Sequence, residues 1–273
     1  MKKKLSITLE RTLLKEAESL IDGINVRNTS QAIEFLLRRS LQDKKTAVIL
    51  AGGNPKDLLT DGVYRPLMKI GDKTLIELNI ETIRKVFKNI IVVGQAPVIA
   101  EIFKVLGSGS QLNVNVTYLE EKEALGTAKT LEVAKPYINS TFLFLPCDHY
   151  FDFDVNEMLK FHLANESVVT LSVFSKTNFE WPVAVVEMDG YRITGYEEHP
   201  KKPKTHLRGM LIGIAEPSVF NNIPSGVVNW SLQENVFPKL AEGGLMCGYP
   251  ISGNWVNIRS KKDVDLIKRL RQD

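Results

Sequence analysis

Residues 47–51 read Ala-Val-Ile-Leu-Ala and run directly into Gly52-Gly53. An apolar run with no polar alternation does not suit a strand that keeps one face in water. It calls for cover on both faces, as a central strand of a parallel sheet has. Ile90-Ile91-Val92-Val93 and Phe142-Leu143-Phe144-Leu145 are further runs of this kind, and Val114-Asn115-Val116-Thr117-Tyr118 is a further strand-like run. Helical patterns separate them, over 74–87, 96–105 and 125–134. Strand and helix in alternation predict an α/β chain with a doubly wound, Rossmann-like sheet. Strand-like segments then follow at closer spacing, at 168–173, 182–187, 191–196 and 207–215. The sheet is therefore expected to be mixed, with an antiparallel portion. An amphipathic helix over about 261–271 is expected to pack on this body.

The first stretch of the chain has a different character. Residues 1–45 hold 10 Lys/Arg against 6 Asp/Glu, whereas the remainder holds 25 against 26. A basic piece on a near-neutral body points to two modules, the first with an anionic partner. Leu5, Ile7 and Leu9 alternate with Lys4, Ser6 and Thr8, the period of a strand. Leu13, Leu14, Ala17, Leu20 and Ile21 line one helix face, which Asp22-Gly23 is expected to stop. Asn28-Thr29-Ser30 supplies N-cap chemistry, with Ser30 the favoured cap, for a second helix lined by Ala32, Ile33, Leu36, Leu37 and Leu41. One strand and two helices bury too little surface alone, and a lone strand is an unpaired edge. Two copies that pair their strands and helices remove both problems. A two-stranded ribbon fits the major groove of DNA.

These residues resemble the ribbon-helix-helix family of DNA-binding repressors over roughly 2–42, carried by 3–9 and 26–33. The resemblance implies a homodimer on double-stranded DNA. It places Lys4, Ser6 and Thr8 on bases, and Thr29 and Ser30 on phosphate. A module kept only as a dimerisation clasp is the other reading. The expected boundaries are 1–43 for this βαα module and 44–273 for the α/β body, with Gln42-Asp43-Lys44-Lys45 as a polar joint.

Ligands of doubly wound sheets sit beyond the carboxyl ends of strands. Gly52-Gly53 lets backbone amides approach a base or a phosphate, although no P-loop follows. Asp148, after Pro146-Cys147, is a good oxygen ligand for Mg²⁺. Leu125-Gly126-Thr127-Ala128 opens a helix with small residues, which suits a planar base. In order along the chain come 47–53, 65–71, 125–128, 146–148, 196–200, 209–213 and 253–258. Together they resemble the sugar-1-phosphate nucleotidyltransferase family over about 46–271. The resemblance implies transfer of a nucleotidyl group from a nucleoside triphosphate to a sugar 1-phosphate, with release of pyrophosphate and with Mg²⁺ as cofactor. Such chemistry needs positioning and charge neutralisation more than a covalent nucleophile. By resemblance, Asp148 and Asn257 hold Mg²⁺ and Arg65 contacts phosphate. Leu50, Gly52, Gly53, Glu121, Gly126 and Thr127 hold the nucleotide, and Glu198 and Gly209 the sugar.

Three departures stand out. The loop after Gly52-Gly53 reads Asn54-Pro55-Lys56-Asp57-Leu58-Leu59 and lacks the family's arginine, leaving Lys56 as the nearby cation. Glu198-His199-Pro200 replaces Glu-Lys-Pro, and Trp255-Val256-Asn257 replaces Trp-x-Asp. The stretch from Glu121 to Ala128 looks more like guanylyl members, and a carboxylate can accept from both N–H groups on guanine's edge, so GTP is favoured over dTTP or UTP. His149, His162 and His206 read as structural or surface residues. Cys147 and Cys247 read as small buried hydrophobes. No apolar run is long enough for a membrane span and no signal-peptide pattern opens the chain, so a cytoplasmic enzyme is expected. The alternative is a DNA-binding regulator that senses a sugar phosphate or nucleotide through a weakened transferase body.

Overall fold

The computed structural model describes residues 6–43, 45–175 and 184–272. The chain divides into two compact units, Met1–Lys44 and Lys45–Asp273.

In the first unit, helix α1 spans Arg11–Glu18 and helix α2 spans Thr29–Asp43. The pair closes over Ala17, Val26 and Ala32, which are buried. Helix α1 ends earlier than the pattern implied, so Leu20 and Ile21 lie beyond it. The reason is local. Asp22 Oδ1 accepts the N–H groups of Ile24, Asn25 and Val26 at 2.8–2.9 Å and organises the connection as a turn. These backbone donors, that of Val26 first, lower the Asp22 carboxyl to about 2. The cap of α2 is Asn28 and not Ser30, because Asn28 Oδ1 accepts Gln31 N–H at 3.0 Å. Gln31 returns the contact by accepting Arg27 N–H at 2.7 Å. Helix α2 also continues through Asp43, so much of the expected joint is helical. Residues 6–10 follow no ladder in the single chain, which offers them no partner strand among the described residues. Ile7, Leu13 and Leu37 are half exposed or more.

The second unit is built on a mixed sheet. Its strands are β1 Thr46–Ala51, β2 Asn89–Gly94, β3 Asn115–Glu120, β4 Phe142–Pro146 and β5 Val169–Ser175. They continue with β6 Ala184–Asp189, β7 Arg192–Glu197, β8 Leu207–Ala215 and β9 Met246–Pro250. The order across the sheet is β5-β9-β7-β6-β8-β4-β1-β2-β3. Strand β1 pairs parallel with β2 and β4, and β2 pairs parallel with β3. Strand β8 turns antiparallel against β4. The expected mixed sheet is thus present, and β9, which the pattern had not marked, completes it.

The apolar runs are double-sided because both faces are covered. Ala47, Ile49 and Ala51 face one core with α3 (Leu75–Ile83), α4 (Ala96–Leu106) and α6 (Val155–Asn165). Val48 and Leu50 face the other with α5 (Thr127–Val133) and α7 (Phe237–Glu242). Helix α8 (Lys261–Leu270) packs Val264 and Ile267 into a third cluster with Leu75, Leu78 and Ile258. Cys147 and Cys247 are free and buried, as expected of small hydrophobes. No helix is long and apolar enough to cross a membrane among the described residues.

Candidate active site

Parallel strands that start level also end level. Leu50 pairs with Pro146 in register, and Cys147 N–H donates to Leu50 C=O at 2.9 Å. Gly52 and Asp148 therefore emerge side by side and line one cleft of about 370 Å³. Leu50, Gly53, Gly126, Thr127, Glu198, Gly209 and Asn257 line the same cleft. Residues far apart in the chain are thus gathered at one end of the sheet.

One wall carries the oxygen ligands. His149–Phe151 pairs antiparallel with Trp255–Asn257, and Ile258 N–H donates to Asp148 C=O at 3.0 Å. That short ladder sets Asn257 beside the Asp148 segment. Asn257 Oδ1 is buried with no hydrogen-bond partner. Arg65, which stands behind the cleft lining, forms an ion pair with Asp148 across 3.1 Å. Its guanidinium also donates to Ile258 C=O at 3.3 Å and to Asp57 C=O. An unpartnered amide oxygen next to a carboxylate suits a hard divalent cation that completes its shell with phosphate oxygens and water.

His149 lies in this wall and is more than a filler of the core. Its ring is buried, packs edge-on to Trp255, and accepts the Trp255 Nε1–H at 3.3 Å. Burial pushes the imidazole from its ordinary 6.5 down to about 4; Asp148 opposes this, and Arg259 and Arg65 add to it. The ring is neutral at neutral pH. His162 is buried elsewhere between Thr170 and Glu216, and His206 is exposed.

The Gly52-Gly53 turn is held from behind by Glu121, which is buried. Glu121 Oε2 accepts Gly53 N–H at 2.8 Å and Oε1 accepts the Thr130 hydroxyl at 2.6 Å. A Cβ on Gly52 would collide with the Glu121 carboxylate and Thr130, so only glycine fits. Glu121 is the residue expected to contact the base. It is absent from the residues lining the cleft, and both its oxygens are engaged by the chain. Asn54 caps the short turn Pro55–Leu58 by accepting Lys56 N–H at 3.1 Å, and the Lys56 side chain is exposed and outside the cleft lining. The cation that does line the cleft is Arg259. Its signal was in the sequence, two positions past Asn257, where an extended chain returns to the same side.

Across the cleft, Glu198 is oriented by two neighbours. The Tyr196 hydroxyl donates to Oε2 at 2.8 Å, and His199 Nε2 stands 3.2 Å from Oε1. Gly126 has φ +94°, and a Cβ there would meet Trp230 C=O at 2.7 Å. Thr127 lines the cleft, but its hydroxyl serves the fold. It accepts Leu232 N–H at 2.9 Å and donates to Gln233 at 2.6 Å. Gln233 is a cleft residue that no local pattern marked.

In the first unit, Ser6, Thr8 and Ser30 are exposed. The Thr29 hydroxyl donates to Glu18 at 3.2 Å. Lys4 lies outside the described residues.

The Nucleotidyl transferase family matches residues 46–256. The chain is 27% identical over 227 residues to the mannose-1-phosphate guanylyltransferase catalytic subunit beta of Danio rerio, covering 80% of this chain and 62% of that protein. It is 27% identical over 237 residues to a UTP–glucose-1-phosphate uridylyltransferase of Synechocystis, covering 80% of this chain and 61% of that protein. The chain thus spans about three fifths of the length of these curated relatives. The fold is shared with the crystal structure of a Bacillus anthracis protein assigned as a glucose-1-phosphate thymidylyltransferase, solved with sucrose. That likeness has a TM-score of 0.75 at 20% identity and covers 84% of this chain and 96% of that one.

Two outcomes follow. Glu121→Ala leaves Gly53 N–H and the Thr130 hydroxyl without their acceptor, so unfolding in urea is expected to be easier by about 1–3 kcal/mol. Calorimetric binding of GTP and of UTP is expected to weaken alike, and a loss confined to one base would sink the scaffold role. A histidine with a depressed folded pKa takes up a proton on unfolding. Stability is therefore expected to fall as pH drops from 6.5 toward about 4. His149→Gln is expected to flatten that part of the urea-midpoint profile, leaving the smaller share of His162, which burial also lowers.

Proposed function

Because the chain belongs to the Nucleotidyl transferase family, we propose that its body transfers a nucleotidyl group from a nucleoside triphosphate to a sugar 1-phosphate. The observation that carries this reading is Asn257 Oδ1, buried and unpartnered beside Asp148 in the cleft where Gly52-Gly53 ends β1. A phosphate oxygen of the sugar 1-phosphate bonds to the α-phosphorus, the bond from that phosphorus to the bridging oxygen breaks, and pyrophosphate departs. Asp148 and Asn257 would hold Mg²⁺, which would supply charge neutralisation on the phosphates.

The remaining steps belong to side chains and backbone. Gly52 and Gly53 let the nucleotide approach the main chain closely, with Glu121 and Thr130 holding the turn rigid. Arg65 and Arg259 stand where a triphosphate needs cations, and a guanidinium can grip phosphate with two N–H groups. Glu198, pre-oriented by Tyr196, accepts sugar hydroxyls. The neutral His149 keeps a further positive charge off Asp148. GTP is the first donor to test, on likeness to guanylyl relatives; the Glu121 carboxylate is engaged by Gly53 and Thr130.

We further propose that the first unit joins two copies and binds double-stranded DNA in the ribbon-helix-helix manner. In support, Ile7, Leu13 and Leu37 are 50–57% exposed in a unit whose described residues include few buried ones. Pairing two strands would cover the Ile7 side and leave Ser6 and Thr8 outward. A body that senses its ligand for such a regulator is the second reading.

Pyrophosphate release with Mg²⁺ over a grid of nucleoside triphosphates and sugar 1-phosphates tests the transfer. One substrate pair is expected to react, with Asp148→Ala reducing the rate by at least ~100-fold. Silence over the whole grid, with ligand still bound, would leave the sensor. Sedimentation of the full chain is expected to show a dimer that Ile7→Lys converts to monomer, and DNA affinity is expected to fall steeply with salt. An unchanged sedimentation profile would overturn the strand-paired dimer.

A further inference from the structure

The acidic wall of the cleft already has a cation of the chain's own. Arg65 and Asp148 meet at 3.1 Å, each with only 15% of its side chain exposed. The same guanidinium is tied to Ile258 C=O and Asp57 C=O, so it bridges the loop after Gly53, the end of β4 and the segment after Asn257. This arrangement is complete in charge and incomplete in hydrogen bonds. Arg65 Nε and Asn257 Oδ1 are both buried without partners. Buried polar groups are seldom left so. One such atom belongs to the ion pair itself and the other to a residue that lines the cleft with Asp148, which marks a resting arrangement that a ligand completes.

We propose that Arg65 guards Asp148: a divalent cation gains the carboxylate only when a triphosphate draws the guanidinium away. This rests on the reading of Asp148 and Asn257 as the metal-holding pair. Asp148 brings one negative charge and Asn257 none, so with Arg65 in place the wall is neutral. A cation arriving alone meets the Arg65 charge at the ligand it needs, with Arg259 lining the same cleft. A triphosphate changes the balance. It offers the guanidinium a two-pronged anionic partner, which one carboxylate oxygen and two neutral backbone carbonyls do not match. Release of Asp148 then coincides with the arrival of phosphate oxygens that complete the cation's shell. Metal and nucleotide bind as a coupled pair, and the coupling has the same size in both directions. An arginine at this position, with three acceptors around it, is what makes the guard directional; a lysine would hold Asp148 as a point charge alone.

The test is Mn²⁺ binding to the full chain, followed by electron paramagnetic resonance of the free ion, without nucleotide and then with GTP or UTP. Without nucleotide, Arg65→Gln is expected to bind Mn²⁺ roughly fivefold more tightly than the unaltered chain, the factor a part-exposed ion pair supplies. The tightening that nucleotide brings is expected to shrink in that variant. Arg65→Lys is expected to stay near the unaltered chain without nucleotide, and Asp148→Asn to bind weakly throughout. Circular dichroism melts establish that each variant is folded. An unchanged nucleotide-free affinity in folded Arg65→Gln, with binding lost in Asp148→Asn, overturns the guard and leaves the metal reading standing. Tight Mn²⁺ binding by Asp148→Asn overturns both. Should Arg65→Gln melt early, the unaltered chain carries the test: equal Mn²⁺ affinity with and without nucleotide overturns the guard.

Discussion

The cleft depends on the parallel pairing of β1 with β4. That register brings Leu50 level with Pro146 and delivers Gly52 and Asp148 to the same end of the sheet. The pairing exists because both strands are apolar on both faces. Val48, Leu50 and Phe144 feed one core, while Ala47, Ile49 and Leu145 feed the other. A parallel ladder of this kind is stable only under two layers of helices. The chemistry at the strand ends is thus inherited from burial in the strand middles.

Several side chains that chemical intuition assigns to a ligand belong to the frame. Glu121 looked like a base-reading carboxylate, yet it fastens Gly53 to Thr130 from behind. Thr127 faces the cleft while its hydroxyl ties α5 to Leu232 and Gln233. Lys56 sits where a missing arginine would be sought, but a capped turn shows it to solvent. In each case the backbone had first claim. Buried N–H groups must find acceptors, and a nearby polar side chain serves that need before it serves a substrate.

The cleft's electrostatics follow the same logic of scarcity. One carboxylate faces an arginine at 3.1 Å, a second arginine lines the wall, and the histidine between them is kept neutral by burial. Asn257 brings no charge of its own, and its buried amide oxygen is left without a partner.

The sequence by itself determined the class of sheet, most strand and helix positions in the body, and the strand ends that line the cleft. It could do so because burial on two faces leaves an unbroken apolar run, and glycine before a helix leaves a visible break. Even the change of character between the first stretch and the body was legible in charge. What only the tertiary structure decided was the direction of side chains and the partners they find. Asn28 in place of Ser30 as the cap, Glu121 turned inward, Lys56 turned outward, and Arg259 and Gln233 brought into the cleft are all matters of partnership between segments distant in the chain. Local pattern records how a segment is buried; which polar atom satisfies which is settled only when the segments meet.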